Sequence, residues 1–209
     1  MAQRLARGAR SGRALSCVSA PNRDPTRNGK SREEAAETRK RIVQAAARQF
    51  REKGIAATGL AELMKAAGLT HGGFYKHFAS KDQLVAEATA ASVDSLLKEM
   101  AVHSTFKSAV AAYLSTRHRD NPASGCPLAA LGDELARSGK EARAAATTGF
   151  MRLVDTLARD ACNAAARRRA LVAAVTMIGA VTMSRVVTDP ELSAEILFAA
   201  EKSLAADQL

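Results

Sequence analysis

No stretch of this 209-residue sequence reads as a membrane span. The longest run nearly free of charge, Ala170 to Ser184, is bounded by Arg169 and Arg185 and falls short of the roughly 20 residues that cross a bilayer, so it reads as a buried helix. A secretory signal is also missing, because the apolar stretch from Ala14 to Ala20 is short and interrupted by Ser16 and Ser19. Cysteine is scarce: Cys17, Cys126 and Cys162 are odd in number and scattered, which excludes a disulfide framework and a zinc pattern and fits a reducing cytoplasm. There is no G-x-S-x-G elbow, no glycine-rich phosphate loop and no metal-ligand spacing among His71, His77, His103 and His118. Nothing here calls for an enzyme, a cofactor or a metal. Prolines number five and strand-like alternation is absent, which leaves an alanine-rich chain whose elements are helices.

Acidic residues are missing from one end. Residues 1–32 hold eight Lys or Arg against one Asp, residues 33–82 hold nine against six, and the remainder holds fourteen of each. The net charge of +10 is therefore concentrated in the N-terminal part, as expected for a polyanion partner there and a neutral module behind it. Residues 1–30, rich in Arg, Ser, Gly, Asn and Pro and without periodicity, read as a disordered basic extension. Its composition also fits an organelle transit peptide, a reading ranked below the solvated tail.

Beyond that extension, Ser31 with Glu34 forms a capping box, and Val43, Ala46, Ala47 and Phe50 repeat at helical spacing beside Ile42. Gly54 supplies a left-handed stop, with Ile55 placed to touch Phe50. Thr58 can cap a short second helix in which Leu60, Leu63 and Met64 face inward, and Ala66-Ala67-Gly68-Leu69 makes a turn. Thr70 can cap a third helix, and Ser80 with Gln83 opens a longer fourth one. Helix, glycine-bearing turn and second helix within about 20 residues make a helix-turn-helix unit.

The third helix carries Gly72 and Gly73, each costing about 0.5–1 kcal/mol relative to alanine in a helix interior. With Phe74 and Phe78 on the buried side, Gly72, Gly73 and Lys76 project outward between His71 and Tyr75 if the helix turns by about 100° per residue. A face so poor in side chains lets the backbone lie close to a major groove, within reach of phosphates and base edges.

The stretch TRKRIVQAAARQFREKGIAATGLAELMKAAGLTHGGFYKHFASKDQL resembles the N-terminal DNA-binding domain of the TetR family of transcriptional regulators. The resemblance implies an all-α fold in which residues 31–80 form a three-helix DNA-binding domain. Residues 81–209 would then form a helical ligand-binding and dimerisation domain. It further implies a homodimer reading a roughly palindromic operator with half-sites about 34 Å apart, one helical turn. By position, Thr70, His71, Gly73, Tyr75, Lys76 and His77 correspond to DNA contacts, and Thr58, Tyr75 and Lys81 to phosphate contacts. Lys81 opposes the dipole of the helix it opens, an arrangement that a nearby phosphate would make favourable. Gly59 and Gly73 depart from the family pattern, which places a hydroxyl residue at the first and Ser, Thr or Ala at the second.

In the remainder, helices are expected near Thr105–Arg117, Pro127–Arg137, Glu141–Ala166, Arg168–Val187 and Pro190–Ala205. GCPLAALGDELARSG and DPELSAEILFAA resemble, more weakly, the ligand-sensing domain of a TetR subgroup. Leu171, Val172, Val175, Ile178, Val181 and Val186 make the penultimate helix apolar almost all round, and Leu192, Ile196, Ala199 and Leu204 form a partner stripe. The last two helices are thus expected to pair across a twofold axis. A cavity for a small-molecule effector is expected among Met100, His103, Phe106, Tyr113, Cys126, Phe150 and Met151. Cys126 stands between Gly125 and Pro127, an N-cap position where amides and the dipole favour a thiolate, so a thiol-based sensor of oxidants or electrophiles is the alternative reading. An architectural DNA binder driven by the basic tail is the remaining rival.

Overall fold

A computed structural model describes residues 25–158 and 163–206, with side chains from residue 32 onward. The elements are α1 (Pro25–Lys53), α2 (Leu60–Ala66), a 3-10 helix (His71–Lys76), α3 (Lys81–Ala101), α4 (Phe106–Tyr113), α5 (Thr116–Asp120), α6 (Pro127–Arg137), α7 (Lys140–Ala158), α8 (Ala164–Val186) and α9 (Pro190–Ala206). Among the described residues there is no strand, as the all-α expectation required. The basic extension up to residue 24, Cys17 and Cys162 lie outside the described residues. The last residues assigned to that extension, 25–30, belong to α1, so the helix is not opened by the Ser31–Glu34 box. It starts at Pro25, a residue whose fixed φ and missing N–H suit a first helical turn.

Two apolar cores share the molecule. Ile42, Ala46 and Phe50 of α1, Leu63 and Met64 of α2, and Phe74 and Phe78 close around Leu84, Val85 and Ala88 of α3. Leu131 and Leu135 of α6 and Ala142 of α7 complete this first core. Side chains from helices beyond residue 80 thus complete the core on which α1, α2 and the short 3-10 helix rest. The second core joins Leu96 and Met100 of α3 to Val110 and Tyr113 of α4, Leu153 and Leu157 of α7, Met177 and Val181 of α8, and Leu197 and Leu204 of α9. Helix α3 runs through both and packs along α7, with α7, α8 and α9 following side by side.

Local chemistry explains the boundaries. Gly54 ends α1 with φ +89°, a conformation open to glycine at little cost. A Cβ there would also sit 2.6 Å from a Glu134 carboxylate oxygen. Ser80 caps α3, its hydroxyl accepting from Gln83 N at 3.0 Å while Gln83 Oε1 accepts from Ala79 N at 2.8 Å. The expected helix 105–117 is two pieces: α4 leaves helical geometry at Leu114, and Ser115 caps α5 by accepting from His118 N at 3.2 Å. The expected helix 141–166 also divides, α7 ending at Ala158 and Asn163 capping α8 through Ala166 N at 2.8 Å. Neither break carries Gly or Pro. The punctuation is a serine or asparagine side chain that competes with the helix for backbone amides.

Helix α8 differs most from expectation. Over 23 residues it is long and apolar enough by composition to cross a bilayer, and only a third of its most apolar window is buried within the chain. Ala173, Ala174, Met177 and Val181 face the core, while Leu171, Val172, Val175, Met183 and Val186 face outward.

Candidate nucleic-acid interface and effector cavity

The sequence placed α-helical geometry between Thr70 and Phe78, and the structure has a 3-10 helix there. At about three residues per turn, positions i and i+3 eclipse, so Gly72 lines up with Tyr75 and Gly73 with Lys76, in two ridges flanking buried Phe74. Phe74 and Phe78 stack with centroids 5.5 Å apart beneath this surface. Thr70, His71, Gly72, Tyr75 and Lys76 are exposed, Tyr75 at 69%. His77 and Gly73 are half-buried. Nothing lies within 4 Å of the point a Cβ on Gly72 would occupy, whereas one on Gly73 would touch Met64 Cε at 3.4 Å. The outward flank is thus Gly72's, and Gly73 leans toward α2. Thr70 holds the N-cap position but its side chain caps nothing, which leaves its hydroxyl free of that duty.

Two of the residues expected at phosphates are engaged within the chain. Thr58 is fully buried and its hydroxyl donates to Gly54 O at 2.6 Å, so it braces the α1–α2 turn; Gly59 stands at the N-cap of α2 instead. Lys81 opens α3 as expected, yet its ammonium donates to Ile55 O at 2.6 Å and Thr58 O at 2.8 Å. Two backbone carbonyls offset the unfavourable place of a cation at a helix N-terminus.

The seating of the short helix depends on a residue that composition alone did not single out. Arg39 of α1 donates through Nε to Glu87 Oε2 at 3.2 Å, through Nη2 to Glu87 Oε1, and through Nη1 to His77 O. Its guanidinium also lies 4.2 Å from the Phe78 ring centroid. One side chain thereby ties α1, the end of the 3-10 helix and α3 together.

Behind the head, a cavity of about 290 Å³ opens between α3, α4 and α5. Met100, His103 and Tyr113 line it as expected, over a floor of Leu96, Ala109 and Ala112. Phe106 and Phe150 pack against the second core instead, Cys126 is buried within that core, and Met151 is half-exposed on the outer side of α7; none of these four lines the cavity. The sequence reading missed Glu99, Arg117 and His118 in the lining. Glu99 and Arg117 pair at 3.9 Å with both side chains exposed, a contact of little energetic weight.

His118 is the organising residue. Cys126 N donates to its Nε2 at 2.8 Å, so its Nδ1 carries the proton toward Tyr113 O at 2.7 Å. The ring stands edge-on to Tyr113, centroids 4.4 Å apart. Burial lowers its pKa below the ordinary 6.5, a shift opposed in part by the Tyr113 carbonyl and reinforced by the nearby Arg185. Cys126 does hold the N-cap of α6 with Pro127 following. It is, however, fully buried, and desolvation pushes the thiol pKa up despite neighbouring amides and Arg185. The thiolate expected from the N-cap position is overruled by loss of water. Tyr113 is raised by the same burial. Among the described residues no group of His, Cys, Asp and Glu is arranged to hold a metal.

Comparison with known proteins agrees with this geometry. Residues 42–88 match the model for bacterial regulatory proteins of the tetR family. The chain is 45% identical over 58 residues to the HTH-type transcriptional regulator AcrR of Shigella flexneri, covering 28% of this chain and 27% of that protein. It is 46% identical over 56 residues to the HTH-type transcriptional regulator TtgR of Pseudomonas putida, covering 27% of each. The match thus spans about a quarter of these relatives' length. A TetR transcriptional regulator from Chloroflexus aurantiacus superposes with TM-score 0.65 at 28% identity, over 83% of this chain and 95% of that one. Escherichia coli NemR in its reduced form shares the fold at TM-score 0.67 and 19% identity, over 80% of this chain and 95% of that one.

Proposed function

We propose that the chain is a regulator of the TetR family, a homodimeric repressor released from a palindromic DNA operator when a small molecule occupies the cavity behind its reading head. The observation that carries the reading is the exposed flank of Thr70, His71, Gly72, Tyr75 and Lys76 above the stacked Phe74 and Phe78. A short helix held rigidly from below and nearly bare on its outer side suits a major groove. Lys76 supplies charge, while Tyr75, His71 and Thr70 supply hydrogen-bonding groups. Residues 81–209 carry the effector cavity and the dimer contact, and the molecule works in the cytoplasm beside the DNA it reads.

The dimer is supported by the outward face of α8 and α9, where Val175 at 56% and Phe198 at 59% exposure leave an apolar surface of a kind that a second copy covers. Effector and operator binding oppose each other reciprocally: whatever factor the ligand takes from DNA affinity, DNA takes from ligand affinity.

Selection of oligonucleotides from a random pool tests the reading. Enrichment of a site with twofold symmetry is expected, and Lys76→Ala should weaken binding to it while reducing the slope of log affinity against log salt by about 1. A pool that never departs from its starting composition would overturn the proposal.

A further inference from the structure

Helix α5 and the loop that follows it, residues 116–126, touch the cavity, the reading head and α8 at once. Ser124 and Gly125 line the cavity. The loop is folded on itself, Ser124 N donating to Asn121 O at 3.2 Å and Gly125 N to Pro122 O at 3.1 Å, with Cys126 N held by His118. These bonds tie the loop to itself and to the His118 ring. Two arginines reach it from outside. Arg185 of α8 donates to Arg119 O at 2.9 Å and His118 O at 2.7 Å. Arg51 of α1 donates through Nε to Ala123 O at 2.9 Å and through Nη2 to the same carbonyl, while its Nη1 reaches Ser92 Oγ on α3.

Arg51 has no carboxylate partner among these contacts. Burial lowers its pKa to about 10, because a guanidinium held against a carbonyl and a hydroxyl recovers only part of the hydration it gives up. It stands three residues before Gly54, where α1 turns into the segment that Glu134 clamps through Ala56 N at 2.7 Å and that Lys81 clamps at Ile55 and Thr58. That segment leads directly into α2.

We infer that Arg51 is a positioning residue that transmits occupancy of the cavity to the reading head, through the 121–126 loop and the end of α1. A molecule that displaces Ser124 or Gly125 carries the Ala123 carbonyl with it. The bidentate guanidinium then draws on the last turn of α1, and the α1–α2 turn shifts with it. The inference rests on the regulator reading for its biological meaning, and on geometry alone for the mechanical link.

The test needs no identified effector, because the sequence holds a built-in wedge. A Cβ on Gly125 would lie 2.5 Å from two atoms of the His118 ring, so Gly125→Ala forces the loop or the ring to move. Hydrogen exchange at the amides of residues 54–78 and affinity for the selected operator are measured in the full chain for wild type, Gly125→Ala, Arg51→Met and the double variant. Gly125→Ala is expected to speed exchange in that segment and weaken operator binding about tenfold, an ordinary allosteric coupling. With Arg51→Met already present, the same substitution should add less than about twofold, the scatter of independent sites. Arg51→Lys, which retains one donor, serves if Arg51→Met fails to fold and should transmit an intermediate effect. An equal response to Gly125→Ala in both backgrounds, or none in wild type, overturns the inference. Loss of operator binding by all four proteins with the exchange pattern intact counts against the regulator reading alone.

Discussion

Lys81 shows how a side chain whose position is legible in sequence gains partners that only the fold supplies. Its position at the first residue of α3 is legible from Ser80 and Gln83, and the cost of a cation there is real. What answers that cost is a pair of carbonyls at Ile55 and Thr58, brought close only when the α1–α2 turn folds back on the start of α3. Lys81→Met is therefore expected to destabilise the protein by about 1–3 kcal/mol, because two carbonyls lose their donor. Urea unfolding measures this. The salt slope of operator binding should stay as in wild type, and a fall of about 1 would restore Lys81 to the phosphate contacts. Thr58 and Cys126 teach the same lesson: hydroxyl and thiol chemistry were read from neighbours in sequence, but full burial decided what each group does.

At the scale of elements, the short reading helix is the informative case. Sequence periodicity identified its buried side through Phe74 and Phe78 and its outward side through Gly72 and Lys76. Its winding was hidden, since Phe74 is the one buried residue within the helix and a single apolar position fits about 100° per residue as well as about 120°. The open space beside Gly72 gives a prediction with two opposite signs. Gly72→Ala should stabilise the free protein by about 0.4–1 kcal/mol through the unfolded chain. The same methyl should weaken operator binding by about tenfold, or about 1.4 kcal/mol, if the backbone lies against the groove. Fluorescence anisotropy with labelled operator reads the second quantity, and undiminished affinity would place this flank away from DNA. Helices α4 and α5 make the complementary point: the serine cap at Ser115 was in plain view, but without Gly or Pro it resembled any other surface serine.

For the whole molecule, the question is what covers α8 and α9. Among the described residues Leu171, Val172, Val175, Met183, Val186, Leu192 and Phe198 are exposed, on helices that already bury Met177, Val181, Leu197 and Leu204 within the chain. One copy uses one face, as a partner copy would use the other. Val175→Glu and Phe198→Glu together are expected to halve the sedimenting mass and to weaken operator binding, since each half-site would then be read by an isolated head. A wild-type protein that sediments at the 22.0 kDa of one chain would overturn the assignment of this face.

Residue order alone was enough to establish an all-helical chain, a helix-turn-helix head with Phe74 and Phe78 beneath its outward flank, a Gly54 stop, and apolar final helices. Each of these follows from local spacing, capping or backbone freedom, which are properties of residues close in the chain. Folding in three dimensions settled the rest: Thr58 and Lys81 brace the turn, Cys126 loses its water, His118 holds the cavity wall, and Arg51 bridges that wall to α1. Lys81 and Arg51 act on partners far along the chain, 26 positions away at Ile55 and 72 at Ala123, while Thr58 and Cys126 are decided by burial that only packing of distant elements creates, and no local pattern encodes either.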